Sequence, residues 1–97
     1  MIRSFRDAGT EDIFNGADSK RARKTCPGHL WKVARRKLEL LDSVGKLDDL
    51  RVPTANRLEA LKGDRAGQHS LRVNDQYRLC FVWTDQGPTG VEIVDYH

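Results

Sequence analysis

The last three residues of the chain, Asp95, Tyr96 and His97, are of types that take part in proton transfer. The imidazole of His97 titrates near neutral pH, so it could act as an acid or a base, and the carboxylate of Asp95 could orient it. The phenol of Tyr96 could donate a hydrogen bond, transfer a proton or stack on a flat ligand. The alternative is a solvated chain end, which is the usual state of terminal residues. Residue type alone favours that alternative for His97.

Arg72 and Arg78 form a second chemical feature, because a guanidinium stays protonated and binds an anion through two parallel hydrogen bonds. Around them, odd-numbered positions are mostly apolar, as in a strand pair: Leu71, Val73, Tyr77, Leu79, Phe81 and Trp83. For these residues to share one face, Val73 must pair with Tyr77 around a loop at residues 74–76. We therefore predict a β-hairpin with Arg72 directly opposite Arg78 on its other face.

The pairing of Arg72 with Arg78 brings two like charges together, which destabilises a sheet. One interpretation is that an anion is held between them, with Arg78 as the main stabiliser of its charge. The alternative is that the two side chains splay into water or bind separate carboxylates. A last strand over residues 91–97 would place Tyr96 on the arginine face, since Val91 and Ile93 have the parity of the core.

Basic residues are concentrated between positions 20 and 37, where eight of the 17 lysines and arginines lie without an intervening acid. With a net charge of +3, this arrangement makes an anionic partner plausible, although a solvated helix face explains the run about equally well. Apolar residues at helical spacing predict a helix that is entered between Thr25 and Pro27 and closed by Gly45. The outer face of this helix includes Lys32, Arg35 and Arg36.

The remaining predicted elements are shorter. Residues 1–5 are predicted as a first strand, and residues 11–14 as a helical turn that stops at Asn15 and Gly16. The basic residues before Thr25 are interpreted as a linker. Pro53 argues against a central strand, so residues 46–59 are predicted to form a packed connector that leads to a turn at 62–67.

Length and composition predict one folded domain over residues 1–97, with one modest core and therefore one site. Cys26 and Cys80 are too few for a disulfide framework, and no nearby Cys/His grouping has the spacing of a zinc site, so neither a metal nor another cofactor is expected. The sequence lacks a run of roughly 18 apolar residues and the apolar block of a signal peptide. We expect a cytoplasmic protein with no membrane partner.

Four stretches resemble the HigB branch of the RelE superfamily of toxin–antitoxin ribonucleases. They are residues 2–5, 56–65, 74–81 and 91–97, which read IRSF, NRLEALKGDR, NDQYRLCF and VEIVDYH. The resemblance implies an α+β fold, with N-terminal helices packed on a twisted antiparallel β-sheet of about four strands. It also implies a concave, basic sheet face that binds in the decoding site of the 30S ribosomal subunit and cuts messenger RNA there. Relatives are neutralised by an antitoxin, commonly a HigA-like helix-turn-helix protein, through which contact with DNA would be indirect.

Cleavage of RNA without a metal needs a base for the 2′-hydroxyl proton, a cation for the phosphorane and an acid for the 5′-oxygen. The products are a 2′,3′-cyclic or 3′-phosphate and a 5′-hydroxyl. With the resemblance, the residues at 95–97 are the expected acid–base group and Arg78 is the expected cation. Lys62 resembles the catalytic-face lysine of the family, while Arg65 and Arg72 are expected to bind the RNA backbone.

Glu59 marks a departure from the family, because some HigB relatives carry a histidine in the segment before the lysine-glycine-aspartate turn. Glu59 could replace that histidine as a base if burial raised its pKa, or it could simply pair with Arg57 or Lys62. His29 and His69 lie away from the matching stretches and are expected to be structural or surface residues.

The basic helix face has two possible duties, since Lys32, Arg35 and Arg36 could hold ribosomal RNA or an acidic antitoxin segment. A non-catalytic protein that binds ribosomal RNA and inhibits translation is the alternative function. Direct DNA binding is the weakest reading, because the region lacks a second recognition helix.

Overall fold

The computed structural model describes residues 1–96; His97, one of the predicted acid–base residues, lies outside the described residues. Within that range the chain forms three α-helices and one antiparallel sheet with the strand order β1-β2-β3-β4. The elements are α1 (Ala8–Asn15), α2 (Lys20–Thr25), α3 (Trp31–Ser43), β1 (Glu59–Ala60), β2 (His69–Arg72), β3 (Tyr77–Thr84) and β4 (Gly87–Asp95). The predicted α+β fold, with N-terminal helices and a four-stranded antiparallel sheet, is confirmed.

Local caps explain why the N-terminal region is more helical than predicted. The Asp7 carboxylate accepts a hydrogen bond from the Thr10 amide at 2.9 Å, and Gly16 ends α1 in the left-handed conformation at φ 76°. The predicted turn is therefore an eight-residue helix that stops where expected. The predicted basic linker is wrong, because the hydroxyl of Ser19 caps the Ala22 amide and begins α2.

Helix α3 lies where the helical spacing predicts, with shifted ends. A short 3-10 turn over Gly28–Leu30 precedes it, and its last residue is Ser43 rather than the predicted Gly45. Ala34, Leu38 and Leu41 are buried against the sheet and α1, as the pattern requires. Truncation of a buried leucine such as Leu38 to alanine would cost about 2–5 kcal/mol of stability.

The predicted hairpin register is confirmed. Leu71 pairs with Leu79, Arg72 pairs with Arg78, and the amide of Val73 donates to the carbonyl of Tyr77 at 3.0 Å. The Asn74 side chain closes the loop by accepting hydrogen bonds from the amides of residues 76 and 77.

The fourth strand of the sheet is not the predicted one. Residues 1–5 do not form a strand, although one parallel bridge joins Phe5 to Val91 and backbone hydrogen bonds join Arg3 and Ser4 to β4. The edge position is taken by β1, which begins at the last residue of the predicted connector, where Glu59 pairs with Ser70 and Ala60 with His69. A strand of two residues is too short to give an alternating pattern, so sequence periodicity does not predict it.

The helices cover one face of the sheet. The buried hydroxyl of Thr10 in α1 accepts a hydrogen bond from the Ile93 amide of β4 at 3.0 Å, and the carboxylate of Asp42 in α3 accepts one from the Ile2 amide at 2.8 Å. Because side chains alternate across a strand, the even-numbered residues of β2 and β3, and those of β4 from Glu92 onwards, point away from the helices. A register shift reverses this parity at the start of β4, where Thr89 pairs with Val82 and Pro88 is buried. No helix in residues 1–96 has the length and apolar character needed to cross a bilayer.

Candidate active site on the open sheet face

The open face of the sheet carries polar side chains in two cross-strand rows. Paired residues of neighbouring strands lie side by side, so one row reads Glu59, Ser70, Cys80, Glu92. The next row places Arg72, Arg78 and Val94 together. Ser70 and Cys80 are fully buried, so they form a floor above which the longer side chains extend.

Arg78 is the most firmly held side chain of this face. Its Nε donates to Ser70 Oγ at 2.7 Å, and its Nη2 donates to the carbonyl oxygen of Arg57 at 2.7 Å. The Glu59 carboxylate lies 3.8 Å from Nη2, at ion-pair distance, and only 13% of the Arg78 side chain is exposed. A guanidinium fixed in this way needs little reorganisation to stabilise an anion.

Arg72 is paired more loosely, with the exposed carboxylate of Asp75 in the hairpin loop. The hydrogen bond from Arg72 and its positive charge lower the pKa of Asp75. Arg72 and Arg78 thus bind separate carboxylates, which is the alternative that the like-charge pairing left open. In both pairs the carboxylate is exposed, so the pair contributes little stability and either arginine can exchange its partner for a phosphate.

Tyr96 lies on the arginine face, as the strand parity predicts. It lines a cleft of about 340 Å³, which we name the arginine cleft, together with Arg57, Glu59, Arg72, Asn74, Asp75 and Arg78. Its amide donates to the carbonyl of Gln76 at 2.7 Å, which anchors the chain end beside the hairpin loop. Burial, and then the nearby Cys80, raises the pKa of the Tyr96 phenol, so this side chain is protonated at neutral pH.

Asp95 lies at the end of β4, opposite Tyr77 and with the other parity from Tyr96. Its Oδ2 accepts a hydrogen bond from Gln76 Nε2 at 3.0 Å. The predicted contact of Asp95 with His97 falls outside the described residues, so the orienting role of Asp95 stays a prediction.

Glu59 does not have the environment that a carboxylate base requires. The side chain is 57% exposed, so the expected burial is absent. The Glu59 carboxylate forms an ion pair with Arg78, rather than with the predicted Arg57 or Lys62. The position of Glu59 therefore fits an ion-pair partner better than it fits a base.

Lys62 and Arg65 flank the turn before β2 and differ in how they are held. Lys62 is exposed and is not among the side chains that line the arginine cleft. Arg65 donates to Gln68 Oε1 at 3.0 Å and lies 3.6 Å from the Glu92 carboxylate. Arg65 therefore lies at the Glu92 end of the first row, close enough to influence the Tyr96 phenol electrostatically.

The predicted RNA-binding residues of α3 lie in a different place. Lys32, Arg35 and Arg36 line a second cavity, of about 440 Å³, which we name the helix groove. The groove runs between α1 and α3, and its other lining residues are Ile13, Gly16, Ala17, Asp18, Trp31 and Glu39. The structure does not bring these three basic residues to the arginine cleft.

The two internal histidines lie away from the cleft, in line with their expected structural or surface character. His69 stacks on Phe81 with ring centroids 6.3 Å apart, and His29 is exposed before α3. Residues 1–96 contain no grouping of three or more His, Cys, Asp or Glu side chains that could hold a metal ion.

Arg57 and Ser70 are functional-site residues to which sequence reasoning gave no site role. For Ser70 a signal existed, because the strand parity already places it on the arginine face. For Arg57 no such signal existed, because its contribution is a backbone carbonyl presented by a left-handed conformation at φ 47°.

Comparisons with known proteins agree with this architecture. The family model for HigB-like toxins, described as RelE-like toxins of the type II toxin–antitoxin system HigB, matches residues 3–97. Toxin HigB-1 of Vibrio cholerae is 42% identical over 85 residues, which are 88% of this chain and 86% of that toxin. An uncharacterized protein of Haemophilus influenzae is 44% identical over 57 residues, or 59% of this chain and 56% of that protein.

A solved structure, described as the YoeB–YefM complex from Staphylococcus aureus, shares the fold. The alignment has a TM-score of 0.61 and 16% identity, and it covers 100% of this chain and 98% of that one. The family match and the identity to Toxin HigB-1 go further than this likeness in fold. The chain belongs to the HigB-like, RelE-like family of toxins of type II toxin–antitoxin systems.

Proposed function

We propose that the protein is an mRNA endonuclease that acts on the ribosome, with the whole chain working as one toxin domain. The observation that carries this proposal is the Arg78 guanidinium, which Ser70 and the Arg57 carbonyl hold at the floor of a cleft that also contains Tyr96. A fixed cation beside a neutral phenol suits a reaction in which negative charge grows on a phosphate.

In the proposed reaction, the 2′-hydroxyl attacks the adjacent phosphate without a metal and leaves a 2′,3′-cyclic or 3′-phosphate and a 5′-hydroxyl. Arg78 stabilises the phosphorane. Of His97 and Tyr96, one accepts the proton of the attacking 2′-hydroxyl and the other donates a proton to the leaving 5′-oxygen, and Asp95 orients His97. Lys62, in the turn before β2, adds positive charge for the RNA, while Arg72 and Arg65 bind backbone phosphates. Glu59 neutralises Arg78 until the RNA arrives.

The proposed partners follow from charge and shape. The arginine cleft receives messenger RNA in the decoding site of the 30S subunit, which places the action in the cytoplasm. In the helix groove, Ile13 and Trp31 offer apolar contact and Lys32, Arg35 and Arg36 offer positive charge. That combination fits an acidic segment with an apolar anchor, such as one of a HigA-like antitoxin, better than it fits RNA. DNA contact would be made by the antitoxin.

The test is to incubate the protein with programmed ribosomes and with naked RNA, with and without EDTA, and to map the cuts and their end groups. We expect cuts on programmed ribosomes that EDTA leaves unchanged once the ribosomes are held together by polyamine. Cleavage that EDTA abolishes and added metal restores would refute the metal-independent mechanism.

A non-catalytic protein that binds ribosomal RNA is the alternative. In that case Arg78→Ala would weaken binding to the ribosome, and His97→Ala would have no effect on translation. Inhibition of translation without any new RNA ends would favour this alternative.

A further inference from the structure

Asn56 begins one of the family-like stretches, yet it does not touch the arginine cleft. Its side chain is fully buried in the connector between α3 and β1. A buried amide must find hydrogen-bond partners, and this one has three. Nδ2 donates to the carbonyls of Leu50 at 3.2 Å and Val52 at 3.3 Å, while Oδ1 accepts a hydrogen bond from Lys37 Nζ.

The Asn56 side chain therefore ties the connector to itself and to helix α3. Two carbonyls on one side and a lysine of α3 on the other fix the backbone at position 56. The next residue, Arg57, is held in the left-handed region at φ 47°, which is strained for a residue other than glycine. Such a conformation persists only where surrounding contacts determine it.

The carbonyl that this backbone presents is the one that accepts the Arg78 Nη2 hydrogen bond at 2.7 Å. A continuous chain of contacts thus runs from Lys37 through the Asn56 side chain and the Arg57 carbonyl to the guanidinium of Arg78. Burial, and then the charge of Arg72, lowers the pKa of the Lys37 ammonium group.

We infer that Asn56 and Lys37 are positioning residues, which aim the Arg78 guanidinium at the reacting phosphate by fixing the Arg57 carbonyl. This inference rests on the proposed function of Arg78. Removal of the Lys37 ammonium leaves Asn56 with its two carbonyl contacts, so the fold survives while the connector loosens. The expected defect is therefore a misplaced Arg78 guanidinium rather than a lost charge.

The test combines NMR of the Arg78 side chain with single-turnover cleavage on programmed ribosomes. The variants are Lys37→Met, Lys37→Arg and Asn56→Asp. The control is Lys46→Met, because Lys46 is an exposed lysine near the start of the connector, ten residues before Asn56. In Lys37→Met, we expect hydrogen exchange at Arg78 Nε to quicken at least about tenfold. We expect kcat to fall about tenfold with little change in KM. Lys37→Arg should restore the slow exchange and the wild-type kcat. Asn56→Asp should show the same two defects as Lys37→Met.

A double-mutant cycle separates positioning from a general loss of stability or of charge. If Lys37 acts through Arg78, Lys37→Met causes no further loss of cleavage in an Arg78→Ala background. An equal loss in both backgrounds, or unchanged exchange at Arg78 Nε, would overturn the inference. A wild-type protein that cuts no RNA while Arg78 Nε still responds to Lys37→Met would overturn the proposed function and leave the positioning role standing.

Discussion

The arginine cleft and the helix groove carry the same kinds of basic side chain, but the structure holds them differently. In the cleft, Arg78 is nearly buried and bonded to a hydroxyl and a backbone carbonyl. In the groove, Lys32, Arg35 and Arg36 are exposed on the outer side of α3, beside apolar side chains. One cation is fixed before any ligand arrives, whereas the others are free to adjust.

Under the proposed function, this difference separates a surface for chemistry from a surface for docking. A charge that is fixed and shielded from water stabilises a transition state, because it pays no reorganisation cost during the reaction. Exposed charges around an apolar patch speed association and select partners, and salt screens their effect. The comparison therefore predicts that the two surfaces can be damaged independently.

The largest expected effect is that of Arg78→Ala. We expect cleavage on programmed ribosomes to fall about 10²–10³-fold in kcat, because the phosphorane loses its fixed cation. Single-turnover kinetics measure the change, and Arg23→Ala on α2 is a matched control outside both surfaces. A loss confined to KM would mean that Arg78 only binds the RNA.

A smaller effect is expected for the phenol of Tyr96. Tyr96→Phe should lower kcat about tenfold or more, because a hydrogen-bond or proton donor is lost. The pKa of Tyr96 is raised above its usual value of 10.0, so the donor form persists through neutral and moderately alkaline pH. The wild-type rate should therefore not decline on account of Tyr96 until the pH exceeds 10. A tyrosine-dependent decline between pH 7 and 9 would contradict this assignment.

Reversal of charge in the helix groove should spare the chemistry. The triple variant Lys32→Glu, Arg35→Glu, Arg36→Glu is expected to weaken antitoxin binding about tenfold or more at low salt, with kcat unchanged. Titration calorimetry at two salt concentrations measures the binding. The affinity of the corresponding triple glutamine variant should lie between those of the wild type and the glutamate variant. Normal neutralisation by the antitoxin together with lost cleavage would reverse the assignment of the two surfaces.

The smallest effect concerns the acid that accompanies Arg72. The pKa of Asp75 is lowered by the Arg72 hydrogen bond and charge, so its carboxylate contributes stability above its unfolded pKa of 3.8. That contribution is lost as the pH falls through the lower, folded-state value. Urea unfolding of the wild type and Asp75→Asn should therefore differ slightly at neutral pH and converge in strong acid. A difference that grows on acidification would show that the sign is wrong.

The arginine cleft was largely predictable from sequence because its geometry follows from strand parity. Alternation fixed the hairpin register, and the register fixed the opposition of Arg72 and Arg78. The parity of Val91 and Ile93 in the last strand fixed the side on which Tyr96 lies. Helix α3 was predictable for the same reason, since its apolar spacing decides which side faces the core.

Other parts of the site depend on interactions that leave no local pattern. The two residues of β1 form a strand only because the edge of β2 is available to them. The Arg57 carbonyl is placed by a backbone conformation, and α2 depends on the single hydroxyl cap of Ser19. The exposure of Glu59 likewise depends on β1 being an edge strand, so burial could not be judged from its neighbours in sequence.

The most direct test of the central claim is a single atom change in the substrate. Messenger RNA with a 2′-deoxynucleotide at the attacking position should bind programmed ribosomes and the protein normally yet remain uncut there, while the unmodified message yields a 5′-hydroxyl and a cyclic or 3′-phosphate. Cleavage of the deoxy-substituted message at that position, or products with a 5′-phosphate and a 3′-hydroxyl, would contradict attack by the 2′-hydroxyl in the arginine cleft.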